Sequence, residues 1–350
     1  MNRAFARLGI FCAISLFAPS SSSAVIISPV TIAWSPVGTP GNAPDTRVAV
    51  DGTSGYGSVG YKYFIGTFEV TNSQYAEFLN AKDPTGANAL GVYNTHMGEV
   101  SQFGGIAINA ANPNGSKYSA IPGRASYAVN YVTWYSCVRF ANWMNNGQGS
   151  GDTESGAYRL LGGTPTPSNA TSIVRSATAK VFLPSENEWY KAAYYNPTTG
   201  SYFEYPTSSN TAPLAGGPTS TPDAANYLRI INAPTAIGSY TGTTSPFGAF
   251  DMAGDLNEWI EQPNGGGINR GLRGGSFFSD LQGLSATQRS FDSADGGGDI
   301  DGFRLASVPE PSGVCLAVLG IGCFLLVASP RVRRGLVRIP ASRKSPGIDG

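Results

Sequence analysis

The chain has 350 residues, of which 41% are hydrophobic and 13% charged, with 45 glycines and 24 prolines. This length allows one large domain or two small ones, and the glycine and proline content argues against a helical bundle and favours a turn-rich protein. The formal charge of zero conceals an asymmetry, because residues 25–307 hold 15 Lys and Arg against 21 Asp and Glu. An acidic body without a basic patch argues against nucleic acid as a partner.

Cysteine and histidine are too scarce for several kinds of site. Cys137 is the only cysteine in residues 25–307, and His96 is the only histidine of the chain. A disulfide within this region and a multi-cysteine zinc site are therefore excluded. A three-histidine metal centre is excluded for the same reason.

Residues 1–24 have the pattern of a secretory signal peptide. Arg3 and Arg7 form a basic start, residues 8–18 are apolar, and residues 22–24 are small, as at a cleavage site. The apolar stretch is too short to span a membrane. We expect export by the Sec route and a mature chain that begins near Val25.

Short strands and one helix are predicted in the first part of the mature chain. Apolar and β-branched residues alternate with turn residues at 30–34 and 48–50, and residues 63–70 also have strand character. Thr71 or its neighbour can cap a helix over residues 73–79.

Two further helices are predicted in the middle of the chain, after residues 84–122, whose composition is typical of an irregular surface loop. The spacing of apolar residues predicts a helix over residues 134–145, with Cys137 on its buried stripe. Ser185 and Glu188 form a capping box, which predicts a helix that runs to about residue 195.

Oxygen donors are concentrated at a tight bend in residues 246–261, Pro-Phe-Gly-Ala-Phe-Asp-Met-Ala-Gly-Asp-Leu-Asn-Glu-Trp-Ile-Glu. Asp251 and Glu258 supply carboxylates, and Gly254 allows backbone carbonyls to turn inward, as in a site for a hard cation such as calcium. A polar turn before a short strand or helix is the alternative interpretation.

This segment resembles the Gly-Leu-Tyr-Asp-Met-x-Gly-Asn-x-x-Glu-Trp signature of the formylglycine-generating enzyme, or sulfatase-modifying factor, family. Residues 273–277, Arg-Gly-Gly-Ser-Phe, resemble a second signature of the same family. The resemblance implies a single domain over residues 25–307 with an α+β, formylglycine-generating-enzyme-like fold of the C-type-lectin-like superfamily. Short strands, few helices and many loops are expected of that fold.

The resemblance also implies where metals would bind. Calcium would be held by the side chains of Asp251 and Glu258 and by the carbonyls of Gly254 and Leu256. A second calcium site would begin at Asn226 and Tyr227, but residues 228–235 supply no carboxylate, so we expect this site to be absent or weakened.

Relatives that make formylglycine bind copper through two cysteines, whose positions are occupied here by Ser279 and Leu284. Because soft thiolates suit Cu(I), we expect no copper and a loss of the oxidase reaction. The ergothioneine-type branch of the family, with an iron held by histidines, also fails, since one histidine cannot supply the ligands.

After residue 307 the chain changes character. Pro309, Glu310 and Pro311 precede an apolar run at 313–328 and an arginine cluster. This order resembles a PEP-CTERM sorting signal, here over residues 308–338 and followed by a tail at 339–350, which implies an exosortase-type enzyme as partner. An ordinary membrane anchor is the alternative. The expected route is a transient membrane span and then the cell surface or extracellular matrix.

Two functions of different classes remain open from the sequence. The first is a non-catalytic, calcium-supported binding or structural module whose ligand is an extracellular glycan or protein. The alternative is an active formylglycine-generating oxidase or another enzyme of the family, with Asp280, Asp251 or Glu258 as acid or base. A deep polar pocket beside Ser276 and Ser279 would favour the enzyme, and a shallow, aromatic-rimmed surface would favour binding.

Overall fold

A computed structural model of the protein describes residues 29–100 and 102–309. The described residues up to Ser307 form one compact unit, and the chain divides after Ser307. The predicted signal peptide, Glu310, Pro311 and the apolar run lie outside the described residues, and Pro309 is exposed. Within the described part of the chain, no helix has the length and apolar character needed to cross a membrane.

The helices begin at the capping residues that the sequence predicts. The side chains of Thr71 and Ser185 each accept a hydrogen bond from the backbone amide three residues later. The side chain of that later residue in turn accepts a hydrogen bond from the backbone amide of the capping residue, so two otherwise unpaired amides are satisfied. Thr133 caps the central helix in a similar way. The helices are α1 (Asn72–Lys82), α2 (His96–Glu99), α3 (Trp134–Asn145) and α4 (Glu186–Tyr194).

Strands in the described residues are short. They are β1 (Trp34–Val37), β2 (Tyr63–Gly66), β3 (Ile106–Ile108), β4 (Tyr118–Ala120), β5 (Val181–Phe182), β6 (Tyr195–Asn196), β7 (Ser201–Tyr202), β8 (Leu214–Ala215), β9 (Ala224–Ala225), β10 (Asn257–Asn264), β11 (Asn269–Arg273), β12 (Ser290–Ser293), β13 (Asp301–Gly302) and β14 (Ala306–Ser307). In this part of the chain they form two four-stranded sheets, with the orders β1-β2-β14-β5 and β12-β11-β10-β13, and three two-stranded sheets.

The core is aromatic and lies around α1, α3 and α4. Phe78 of α1 contacts Phe140 and Trp143 of α3, with ring centroids 5.3 and 5.5 Å apart. These three rings are almost completely buried, as is Cys137 on the same helix. Offset and edge contacts between rings of this size contribute beyond the area they bury. The predicted α+β, loop-rich architecture with few helices is confirmed.

Three local predictions need correction. Residues 48–50 form no strand and lead into a turn at residues 50–51, with Val48 and Val50 more than half exposed. The strand predicted at 63–70 ends at Gly66. Residues 84–122 are more regular than predicted, because they contain α2 and the hairpin of β3 and β4. Exposed or short β-branched runs carry too little information on pairing to fix a strand.

Gly254 and Gly248 offer a matched test of why the bend requires glycine. Both have positive φ, +75° and +79°, but a Cβ on Gly254 would lie 2.2 Å from the carbonyl oxygen of Asn226, whereas one on Gly248 meets nothing within 4 Å. We expect Gly248→Ala to reduce the free energy of unfolding by about 1 kcal/mol and Gly254→Ala by at least about 2 kcal/mol more, measured by urea unfolding. Equal losses of unfolding free energy in the two variants would show that the close approach of Gly254 to Asn226 does not contribute to the requirement for glycine.

Candidate functional site

A buried ion pair lies at the centre of the predicted motif. Glu258 of β10 and Arg304, which precedes β14, are both fully buried. Arg304 donates Nε and one terminal nitrogen to the two carboxylate oxygens of Glu258, each at 2.5 Å. The indole of Trp189 donates a third hydrogen bond to Glu258 at 2.8 Å. This planar, two-point contact neutralises the carboxylate.

These contacts argue against Glu258 as a calcium ligand. Both of its oxygens are already bound by donors, and a cation at this carboxylate would be repelled by the adjacent guanidinium. No cluster of three or more His, Cys, Asp and Glu side chains with a metal-binding arrangement occurs in residues 29–100 and 102–309. Calcium binding itself stays a prediction, but the residues around Glu258 do not fit it.

Asp251 and Gly254 lie at the bend but bind other parts of the protein. Asp251 accepts a hydrogen bond from the backbone of Gly238 at 2.6 Å. Burial, and then the nearby charge of Asp255, raise the pKa of Asp251 to about 7. The amide of Gly254 donates to Gly274, and Leu256 is fully buried in the core. The bend therefore fastens the motif to its neighbours.

The start of the predicted second calcium site is held by a carboxylate that sequence reasoning did not select. Asp255 accepts hydrogen bonds from Asn226 at 2.8 Å and from the amide and hydroxyl of Thr235 at 2.8 and 2.9 Å. Tyr227 instead donates its hydroxyl to the carbonyl of Pro213 at 2.5 Å. Asp255 thus closes the loop between Asn226 and Thr235.

A fourth buried acid, Glu69, was also missed. It is 2% exposed, and neither carboxylate oxygen has a hydrogen-bond partner among the described residues. Burial, and then the charges of Glu258 and Asp255, raise its pKa well above the usual range. The available sequence signal was a lone charged residue between Phe68 and Val70, since a buried acid in an apolar run needs either a partner or a proton.

The two positions that hold cysteines in formylglycine-forming relatives lie in different environments. Leu284 is fully buried and packs with Ala225, Tyr227 and Ala253. Ser279 is partly exposed, and its hydroxyl accepts a hydrogen bond from the amide of Ser276 at 2.9 Å. A buried leucine and a hydroxyl provide no thiolate pair for copper.

Ser279 lines an open cleft of about 270 Å³ that we call the polar cleft. Its wall carries neutral amides and hydroxyls and one ionisable group, Asp280, which is exposed and accepts a hydrogen bond from Gly283 at the start of a helical turn. The cleft has no aromatic side chain, and Asp251 and Glu258 do not line it. Its lining residues are Asn257, Gly275, Ser279, Asp280, Gln282, Gly283, Gln288 and Ser290.

Arginines fix the elements around this cleft. Arg273 and Arg289 both pair with Glu186 at the start of α4, at 2.5 and 3.2 Å. Arg175, which the sequence did not single out, lies 3.9 Å above the ring of Phe182 and pairs with Glu188 at 3.0 Å. Arg175 therefore reaches α4 from a segment that precedes β5 in the chain.

Comparison with known proteins identifies the family of the domain. The model of the sulfatase-modifying factor enzyme 1-like domain matches residues 57–308, which is most of the chain. The chain belongs to this family.

Curated relatives include two hercynine oxygenases. The protein from Mycobacterium tuberculosis is 33% identical over 135 residues, covering 33% of this chain and 30% of the relative. The protein from Mycolicibacterium smegmatis is 25% identical over 205 residues, covering 57% of this chain and 37% of the relative. The chain therefore spans about a third of the length of these relatives.

Among solved structures, Treponema denticola variable protein 1 is similar in fold. The TM-score is 0.55 with 18% sequence identity, and the match covers 81% of this chain and 97% of the other. At this identity the likeness shows the fold alone.

Removal of the Glu258 carboxylate tests whether calcium or Arg304 is its partner. We expect Glu258→Ala to lower the free energy of unfolding by about 3–5 kcal/mol equally in calcium and in chelator, because it leaves a buried guanidinium unpaired. The double variant Glu258→Met with Arg304→Met, which removes both charges, should regain part of that loss. A loss seen only in calcium, measured by thermal and urea unfolding, would support the calcium site instead.

Proposed function

We propose that this domain is a non-catalytic binding module, exported to the cell surface, whose polar cleft binds a neutral, hydroxyl-rich ligand such as an extracellular glycan. The observation that carries the proposal is the chemistry of the cleft wall. Amides and hydroxyls from Asn257, Gln282, Gln288 and Ser290 provide both donors and acceptors without a net positive charge. Hydroxyl groups of a sugar need this mixture of partners.

The chemistry of the cleft gives less support to an enzyme. A polar pocket beside Ser279 is one feature expected of an active site, and the aromatic rim expected of a binding surface is lacking. Acid–base or nucleophilic catalysis, however, needs a second titratable group within reach of the first, and Asp280 is the only ionisable residue of the wall. The named hercynine oxygenases favour an enzyme at the level of the family.

Arginine ion pairs, in this proposal, take the supporting role that the family resemblance gives to calcium. Glu258 with Arg304, and Glu186 with Arg273 and Arg289, connect the strands and the helix that border the cleft. Binding groups held on such a frame are positioned before the ligand arrives, which reduces the entropy lost on binding.

The proposed location rests on the sequence at the two ends of the chain. The basic and apolar pattern of residues 1–24 supports export, and Pro309, Glu310 and Pro311 with the following apolar run support a sorting signal recognised by an exosortase-type enzyme. The 16 apolar residues would rise about 24 Å as a helix, less than the roughly 30 Å of a bilayer core, which suits a transient span.

Binding to a panel of neutral and uronic-acid-bearing oligosaccharides tests the proposed ligand class. We expect neutral members to bind, and Gln288→Leu to weaken that binding about tenfold, since one unmade hydrogen bond in a site costs about 1.5 kcal/mol. Gln262→Leu is the matched control, because Gln262 does not line the polar cleft. Equal effects of the two variants, or no binding of any oligosaccharide, would contradict the proposal.

The competing oxidase is tested on the same preparation by metal content and by oxidation of a cysteine-containing peptide. We expect less than a tenth of a copper ion per chain after copper loading, because Ser279 and Leu284 replace the thiolates. Stoichiometric copper together with peptide oxidation would replace the binding module with an enzyme.

Processing of the C-terminal segment is the test of the sorting signal. In a host that contains an exosortase, we expect mass spectrometry of the mature protein to show cleavage close to Pro309, and Glu310→Ala to abolish it. An uncut chain that remains in the membrane fraction would identify the segment as an ordinary anchor.

A further inference from the structure

A second cavity, of about 210 Å³, lies at the other end of β10 from the polar cleft. It shares no lining residue with that cleft. Most of its wall is apolar, with Trp134, Ile173, Val174 and Pro263, and its charged residues include Arg175, Glu261 and Arg270. We call it the arginine cavity. A mostly apolar cavity with a few convergent polar groups is the usual form of a small-molecule site.

Arg270 is a buried residue of this cavity whose guanidinium is incompletely hydrogen-bonded. It is 2% exposed, and its guanidinium lies 3.9 Å above the ring of Trp134. One terminal nitrogen donates to the carbonyl of Glu261 at 3.0 Å, while the other has only long contacts, of 3.3 and 3.4 Å, to two loop carbonyls. Its Nε has no hydrogen-bond partner among the described residues.

Arg270 also lacks a paired carboxylate. The ion pairs of the described residues include none with this side chain. Burial lowers its pKa from the ordinary value, and the nearby acidic groups, Glu261 among them, offset only part of that shift. A buried guanidinium is usually paired, because removing it from water is costly.

The other charged side chains of the cavity make direct contacts with charged partners. Arg175 contacts Glu188 at 3.0 Å and Glu261 at 3.3 Å, and Tyr158 donates its hydroxyl to Glu261 at 2.5 Å. Glu186, also in the wall, pairs with Arg273 and Arg289. The group of Arg175, Glu188 and Glu261 has one net negative charge when both acids are ionised and none when Glu261 is protonated. Among the described residues of the wall, Arg270 is therefore the charged side chain without a direct ion-pair contact.

We propose that the arginine cavity binds a small organic carboxylate with an apolar body. The carboxylate would lie beside Arg270 and supply the direct partner that its guanidinium lacks, and the body would pack against Ile173, Val174 and Pro263. A guanidinium whose ring-facing side is covered by Trp134 is held in one plane, which favours a directed contact to a carboxylate. The proposal is independent of ligand binding in the polar cleft.

Glu261 makes such binding dependent on pH. The charged and titratable groups around it are Arg175, Glu188, Tyr158 and Arg270, and burial raises its pKa to about 7. A ligand carboxylate with a pKa of about 4 stays ionised from pH 6 to 8. Below pH 7 Glu261 is mostly neutral and does not repel the ligand, whereas above pH 7 it is charged and weakens binding.

The experiment is calorimetric titration of the exported protein with 3-phenylpropionate. We expect this acid to bind at least tenfold more tightly than 3-phenylpropanol, its uncharged analogue, and 3-phenylpropylamine to bind more weakly than the alcohol. Equal affinities for acid and alcohol, or no binding of the acid, would overturn the proposal.

Two variants locate the site without disturbing Arg270, which also holds loop carbonyls. Val174 is 76% exposed at the cavity, so Val174→Glu should fold normally and weaken binding of the acid at least fivefold, while the control Val174→Gln stays within twofold of wild type. Wild-type affinity should fall about tenfold from pH 6 to 8, and Glu261→Gln should abolish that fall. Indistinguishable Glu and Gln variants at 174, or a fall that survives Glu261→Gln, would overturn the assignment.

Discussion

The contact between Glu258 and Arg304 is the constraint on which the rest of the domain depends. Arg304 donates to Glu258 of β10 in the second large sheet and to the carbonyl of Gly66 in β2 of the first, at 2.9 Å. A further donation to the carbonyl of Phe250 holds the approach to the bend. One buried guanidinium therefore sets the separation of two sheets and the position of the motif. Because neither charge can be left alone in the interior, both sheets must be in place together.

Further arginine–carboxylate ion pairs surround this contact, and they are slightly less buried. Glu186, at the start of α4, receives two arginines from the strand and loop that border the polar cleft, and Arg289 also reaches Asp51 near the beginning of the domain. Several carboxylates of this acidic domain are thus neutralised by specific arginine side chains. Arg270 departs from the pattern, since its charge lies against an aromatic ring and loop carbonyls. A departure of this kind is where a ligand can be expected.

Local features of the fold were predictable from the sequence, and long-range ones were not. Thr71 and Ser185 begin helices because capping depends on neighbours within one turn, and the bounds of α3 follow from its apolar spacing. The motif at 246–261 identified Glu258 as important but not its partner, because a carboxylate suited to calcium is equally suited to arginine. Asp255, Glu69 and Arg270 acquire their meaning only from residues distant in the chain.

The interior position of β14 has a mechanical consequence. This two-residue strand is the last one in the described residues, yet it lies between β2 and β5 and begins two residues after Arg304. Tension applied at Ser307, as when a surface-attached protein is pulled by its C-terminal end, is transmitted to two flanking strands at once and then to the guanidinium of Arg304. Ser307 and the central ion pair are thus connected in series, so a force applied at this end of the domain is borne by the first sheet and by the contact between Glu258 and Arg304.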